Sequence, residues 1–279
     1  MLQDHKITFL GAGSMAESII AGLLSKKLLL PSQVIATNLC DEAKLTKLED
    51  RYGICTTQNR QEAVRQGTII FLAMKPKNIE EAIEEIRGEI TEKQLFISVL
   101  AGTTTSYIET LLAHEVPVVR TMPNTSAKVG ASATGLCGGR YANASHVKLA
   151  TLIFTAIGTV TEVTEDKLDA VTGLAGSGPA YFYYMVEAME RAAVQSGLTE
   201  SEAKAFISQT LIGTGKRLEQ TSKTAEELYK EVMSPGGTTE AGLRVLEQQQ
   251  MQQAIEEAIT AAINRSRELG STPSLEIKK

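Results

Sequence analysis

Lys6-Ile7-Thr8-Phe9-Leu10-Gly11-Ala12-Gly13-Ser14-Met15-Ala16 reads as a strand, a glycine turn and the opening of a helix. The turn has the form G-x-G-x-x-A. Its first glycine permits a tight bend, its second lets a pyrophosphate approach the backbone, and the small third residue lets helix and strand pack closely. A helix that starts there presents free N–H groups and about half a positive charge to the phosphates. Gly11, Ala12, Gly13, Ser14, Met15 and Ala16 are therefore the expected phosphate-binding residues of a dinucleotide.

Outward from this turn, apolar runs at 6–10, 33–37, 54–56, 68–73, 95–100, 116–121 and 159–163 alternate with helical patterns. Several runs are apolar throughout, as in strands covered on both faces. Ile79, Ile83 and Ile86, with Glu80, Glu81, Glu84 and Glu85 between them, have the spacing of an amphipathic helix. The alternation predicts right-handed βαβ units and a mainly parallel sheet. After about residue 165 the strand signals stop, and helices are expected over 179–197, 201–220, 225–233, 239–249 and 252–269. Pro179 suits a first turn, Gly197 and Gly270 suit positions just past a helix end, and Thr199 with Glu202 has capping-box spacing. The fold class is α/β, with an N-terminal Rossmann-like domain over 1–164 and an all-helical domain over 165–279. The last residues, 271–279, read as frayed. Phe182, Tyr183, Met185, Val186 and Met189 put apolar surface on more than one side of a single helix, which predicts a partner subunit.

Composition narrows the function classes. Of 279 residues, 28 are Lys or Arg and 33 are Asp or Glu, a formal charge of −5 without a basic block. That argues against nucleic acid or an anionic membrane as partner. Neither a signal peptide nor a membrane-length apolar run is recognisable. Cys40, Cys55 and Cys137 are odd in number and widely spaced, which fits a reducing, cytoplasmic setting. His5, His114 and His146 lack paired spacing, so no metal site is expected.

Cofactor type is read at the end of the second strand, Ala36-Thr37-Asn38-Leu39. An acid there would bind a ribose 2′-hydroxyl. Asn38 is neutral and does not repel a 2′-phosphate, and Lys44 and Lys47 follow nearby. NADPH is expected, with NADH as the second candidate. Two further strand ends, Ala73-Met74-Lys75-Pro76 and Ala101-Gly102-Thr103, point to the same crevice. Lys75 places a cation where a nicotinamide would lie, and Asn124 suits a turn. In the second half, Met233-Ser234-Pro235-Gly236-Gly237-Thr238-Thr239 is a constrained loop entering a helix, with N–H groups and hydroxyls arranged as an anion cradle. A second loop, from Asp169 through Gly173-Leu174-Ala175-Gly176-Ser177-Gly178 to Tyr181, is also expected to lead into a helix.

Gly11-Ala12-Gly13, Ala73-Met74-Lys75-Pro76, Met122-Pro123-Asn124-Thr125, residues 169–181 and residues 234–243 together resemble pyrroline-5-carboxylate reductases, over nearly the whole chain and in order. The resemblance implies NAD(P)H-dependent reduction of Δ1-pyrroline-5-carboxylate to L-proline, the last step of proline biosynthesis. It also implies a homodimer interlocked through the helical domain, often in a larger homo-oligomer, with active sites that need both subunits. It assigns Asn38, Asn59, Ala73, Met74, Lys75 and Ala101 to the cofactor. Glu165, Ser234, Gly236, Gly237, Thr238 and Thr239 fall to the substrate. Thr239 is the catalytic candidate, through a hydrogen bond to the ring nitrogen, and Lys75 is the second. Glu231 departs from relatives that carry Asn at that position. The rival readings are a non-catalytic, regulatory NADP-binding paralogue and a β-hydroxyacid dehydrogenase-like enzyme. The latter would need an Asn four residues after a helix Lys, whereas Lys216 is followed by Gln220.

Overall fold

In a computed structural model, which describes Leu2 and residues 4–271, eight strands form one sheet. The strands are β1 (Ile7–Leu10), β2 (Val34–Thr37), β3 (Cys55–Thr57), β4 (Ile69–Leu72), β5 (Leu95–Ser98), β6 (Val118–Met122), β7 (Ser132–Gly138) and β8 (Gly158–Glu162). Their order is β3-β2-β1-β4-β5-β6-β7-β8, parallel except where β7 runs antiparallel to β6. Six helices accompany them: α1 (Ser14–Ser25), α2 (Glu42–Tyr52), α3 (Arg60–Gln66), α4 (Ile79–Ile86), α5 (Thr105–Leu112) and α6 (Ala144–Phe154).

Strand alternation sends successive side chains to two cores. Ile7, Phe9, Ile69, Phe71 and Ile97 join one cluster with Ile19, Ile20 and Phe154. Leu10, Ile70, Leu72 and Phe96 join the other with Ile79, Ile83 and Ile86. Phe9 stacks on Phe71 with ring centroids 4.6 Å apart. Two apolar faces account for strands that read as unbroken hydrophobic runs.

The helical remainder consists of α7 (Leu168–Val171), α8 (Gly178–Gln195), α9 (Glu200–Glu219), α10 (Ala225–Val232), α11 (Thr238–Gln248) and α12 (Met251–Ser271). Residues 1–177 and 261–279 form one compact unit, and residues 178–260 form a second. The boundary expected at 164/165 thus falls before the compact division. In the second unit the only buried apolar side chains are Ala203 and Ile207, among the described residues, while Phe182, Tyr183, Tyr184, Phe206 and Ile212 stay exposed. Thr199 and Glu202 form the expected capping box. Gly197, at φ +97, closes α8 in a Schellman motif, with Leu198 N–H on Ala193 O and Gly197 N–H on Val194 O.

Three expectations need correction. Strand β7 has no counterpart among the expected runs, because Ser132, Thr134, Gly135 and Gly138 interrupt its apolar pattern. Its polar residues are buried: Ser132 Oγ accepts the Asn124 N–H and pairs with Thr134 Oγ1. Residues 169–181 are helical and not a loop, with a π-helical stretch at Thr172–Gly176. Gly270 lies inside α12 and does not end it. It is needed for close approach, since a Cβ there would sit 2.2 Å from the Gly102 carbonyl oxygen. The frayed tail expected over 271–279 lies, from residue 272, outside the described residues.

Cys40 and Cys55 are exposed and Cys137 is buried. Burial, and then the charge of Glu165, push the Cys137 thiol up to about 12. Titration of the native protein with an aromatic disulfide at pH 8 should consume two thiols, and the third only after denaturation, since the thiolate is the reactive form.

Candidate functional site

The carboxyl ends of β2, β1, β4 and β5 are neighbours at one edge of the sheet, because these strands are parallel. They carry, in that order, Asn38, Gly11, Ala73 and Ala101. The strand order reverses between β1 and β4, where open α/β sheets form their ligand crevice. Gly11 adopts φ +107, and its N–H donates to Thr37 O at 3.2 Å. A side chain here would place Cβ 2.6 Å from Ala73 O and 2.7 Å from Met74 N. Gly11 thus serves both the turn and the approach of the Ala73-Met74 backbone.

Gly13 differs. It is the N-cap of α1, has ordinary extended dihedrals, and a Cβ there would meet only Ala73 O, at 3.8 Å. No side chain caps α1 from this position, so its first-turn N–H groups lack a side-chain acceptor there. A pyrophosphate fits this cradle by charge and by shape. Ala16 is fully buried against the sheet, as the small third residue of the motif requires.

The remaining cofactor candidates divide by what their side chains already hold. Asn38 Oδ1 accepts the N–H groups of Cys40 and Asp41, each at 3.2 Å, which leaves its amide nitrogen for a ligand. Asp41 caps α2 through the Lys44 N–H, so the nearby acid is spent on a helix end. Asn59 caps α3 through the Glu62 N–H. Lys44 and Lys47 line a cavity of about 500 Å³ with Glu17, Asp41, Leu48 and Arg51, a lining that does not include Asn38. Lys75 is exposed and precedes a short 3₁₀ turn begun by Pro76. Asn124 serves the turn: Oδ1 accepts the Ser126 N–H, and Nδ2 donates to Ala175 O.

In the second unit, Ser234 to Gly237 form a type II turn. Gly237 N–H donates to Ser234 O at 2.9 Å, Pro235 occupies the second position, and Gly236 the third at φ +71. The turn leads straight into α11, whose N-cap is Gly237 and not a threonine. The N–H groups of Thr238, Thr239 and Glu240 therefore lack helical acceptors. The neighbouring N–H of Gly236 is held by Glu240 Oε2 at 2.5 Å. Glu231 is paired with both Arg217 and Lys223, and its hydrogen bond with Lys223 holds its carboxyl below the usual carboxylate range.

Glu165 sits elsewhere, in the first unit. Its carboxylate accepts the Thr105 N–H and the Thr105 hydroxyl, each at 2.6 Å, and lies 3.5 Å from Arg120. Buried Arg120, Thr105 and Ser266 and half-buried Asp169 gather around it, a grouping that the sequence reading does not bring together. The available signal was an arginine inside an apolar strand run.

Two family models match the chain. One, described as pyrroline-5-carboxylate reductase dimerisation, covers residues 165–269, and another, described as NADP oxidoreductase coenzyme F420-dependent, covers residues 6–102. Pyrroline-5-carboxylate reductase 1 of Bacillus subtilis is 41% identical over 269 residues, 96% of this chain and 91% of that one. The solved structure of a pyrroline-5-carboxylate reductase from Coxiella burnetii has a TM-score of 0.87 at 37% identity, covering 96% of this chain and 99% of that chain. A Plasmodium falciparum pyrroline carboxylate reductase solved with NADP bound has a TM-score of 0.89 at 25% identity, covering 96% and 99%.

The two glycines of the turn should behave differently on substitution. Gly11→Ala forces the Ala73-Met74 backbone to move and should cost about 2–4 kcal/mol in denaturant unfolding. Gly13→Ala, with open space around it, should cost no more than about 1 kcal/mol.

Proposed function

The chain belongs to the pyrroline-5-carboxylate reductase family, and we propose that it reduces the C=N bond of Δ1-pyrroline-5-carboxylate to give L-proline, with NADPH as the preferred reductant. When bound, the reduced nicotinamide supplies the hydride. The chain's own residues bind and orient. Gly11 to Ala16 hold the pyrophosphate, Asn38 and Asn59 serve the adenosine side, and Ala73, Met74, Lys75 and Ala101 serve the nicotinamide side.

The single observation that carries the substrate reading is the type II turn at residues 234–237 running into α11. It offers the N–H groups of Thr238 and Thr239, with two hydroxyls beside them, to an anionic ring. Ser234, Gly236 and Gly237 shape the turn, and Glu165, the further substrate-side candidate, acts indirectly because its carboxylate is taken up by Thr105 and Arg120. A cyclic imine is basic, and its protonated form is already an electrophile, so no strong general acid is required. In this reading the ring N–H donates to Thr239 Oγ, which fixes the imine carbon for hydride transfer. Such orientation can supply roughly 7–11 kcal/mol of the barrier. Lys75, exposed at the end of β4, adds positive charge near the transferring end of the cofactor.

We assign residues 1–164 to cofactor binding and 165–279 to dimerisation and substrate binding. The exposed aromatic and aliphatic faces of α8 and α9 support a homodimer, and a larger homo-oligomer is compatible with them. The substrate turn of one subunit then works with the cofactor held by its partner. No helix among the described residues is long and apolar enough to cross a membrane. The free cysteines fit the cytoplasm.

The deciding experiment is steady-state reduction of pyrroline-5-carboxylate with NADPH and NADH in parallel. Turnover with a lower KM for NADPH is expected, and absence of turnover with either nucleotide rejects the reading. Thr239→Val removes the acceptor that orients the ring N–H and should lower kcat roughly 10- to 100-fold, around the low end for one positioned hydrogen-bonding group. Glu240→Ala releases the Gly236 N–H and removes a like charge. It should lower the KM for pyrroline-5-carboxylate about fivefold, from a gain near 1 kcal/mol.

A further inference from the structure

Arg120 lies on β6 with its side chain 1% exposed, a charge almost completely withdrawn from water. Its Nη1 is 3.5 Å from Glu165 and its Nη2 is 3.3 Å from Asp169, and Nε has no partner. Glu165 and Asp169 are four residues apart, about one helical turn, and both reach the same guanidinium. Neither stops there. Glu165 grips both the N–H and the hydroxyl of Thr105, the first residue of α5. Its negative charge therefore sits at the positive end of that helix. Asp169 accepts the hydroxyl of Ser266, a buried residue near the end of α12, at 2.7 Å.

The same end of α12 presses on the loop that joins β5 to α5. Gly102 adopts φ +71, and a Cβ on it would lie 3.0 Å from Ser266 O and 3.1 Å from Gly270 N. A Cβ on Gly270 would lie 2.2 Å from Gly102 O. The loop is thus held at both ends, at Gly102 by α12 and at Thr105 by Glu165. Arg120 ties the two holds together through the Asp169–Ser266 contact. All of these residues belong to the first compact unit.

We infer that Arg120, Glu165, Asp169, Ser266 and Gly270 form a positioning network that sets the Ala101-Gly102 loop to receive the nicotinamide half of the cofactor. This rests on the reading above that places Ala101 on the nicotinamide side. These are positioning residues: they act through the loop. The adenine half, bound from Gly11 to Asn38, lies outside their reach. Breaking the network therefore loosens the nicotinamide end selectively.

The test compares two ligands on the full-length protein. NADPH carries both halves, whereas 2′-phospho-ADP-ribose lacks the nicotinamide. Gly270→Ala should weaken NADPH binding about tenfold and lower kcat by a larger factor, since a displacement near 1 Å at a reacting centre can cost about 10²-fold. Its affinity for 2′-phospho-ADP-ribose should stay within about twofold of the parent, given the one-sided contact. Ser266→Ala removes one hydrogen bond without adding volume. It should show the same selectivity at a smaller amplitude, which keeps the test informative if Gly270→Ala does not fold. Equal loss of both ligands, or no change in either, overturns the proposal. A parent enzyme that binds NADPH but leaves pyrroline-5-carboxylate unreduced defeats the functional reading instead, and the two-ligand comparison still stands.

Discussion

Two backbones meet where β1 and β4 end, and the cofactor region is built around that contact. Gly11 can bring its α-carbon against the Ala73-Met74 peptide only because it has no Cβ. The contact falls where the chain leaves β1 for one side of the sheet and returns as β4 on the other. The parallel ladders then place the ends of β2 and β5 on either side at one strand spacing, about 4.8 Å. Asn38 and Ala101 arrive beside the turn by register alone. Nothing in their own side chains steers them there.

The helical segments answer to a different constraint. Residues 178–260 bury almost no large apolar side chain of their own, although Phe182, Tyr183, Tyr184, Phe206 and Ile212 are present. Each such side chain is worth roughly 1.5–3 kcal/mol when removed from water. Leaving several exposed forfeits a sum comparable to the whole stability of a typical domain. A second copy of the chain resolves this, since a twofold interface covers the same patch on both partners. Folding of this region and assembly are then one process, and its stability depends on protein concentration.

Most of the sheet was legible because its strands carry a physical signature, unbroken apolar runs that demand two cores. Strand β7 was not, because its buried residues include Ser132, Thr134 and Gly135, and hydrogen bonds of Ser132 and Thr134 substitute for hydrophobic burial there. Gly135 must be small because Val171 lies against it: a Cβ would come within 2.9 Å. Gly270 looked like a helix end because a sequence shows a missing side chain, not the backbone that occupies its place. The glycine turn at residues 11–16 and the capping box of α9 are local in sequence and could be read directly. The hydrogen-bonded group around Arg120 joins residues up to 161 positions apart (105 to 266), and no local pattern announces it.

Glu240 bears on how the turn proposed for the substrate would work. Its carboxylate takes the Gly236 N–H, so the chain itself demonstrates that the turn holds a carboxylate through a backbone donor. The geometry is favourable: a charged acceptor at a helix start forms a stronger bond than a neutral one. An incoming substrate carboxylate then has two routes. It can displace Glu240 and take the same donor, or it can settle on the N–H groups of Thr238 and Thr239, which lack helical acceptors. The second route leaves Glu240 in place as a negative charge next to the bound acid, where it opposes anions but favours a protonated imine nitrogen. A substrate that carries both a carboxylate and an iminium regains at one end part of what it loses at the other. A simple dicarboxylate gains nothing. In the proposed substrate site, selectivity for a zwitterionic ring would thus follow from one glutamate placed four residues beyond a glycine.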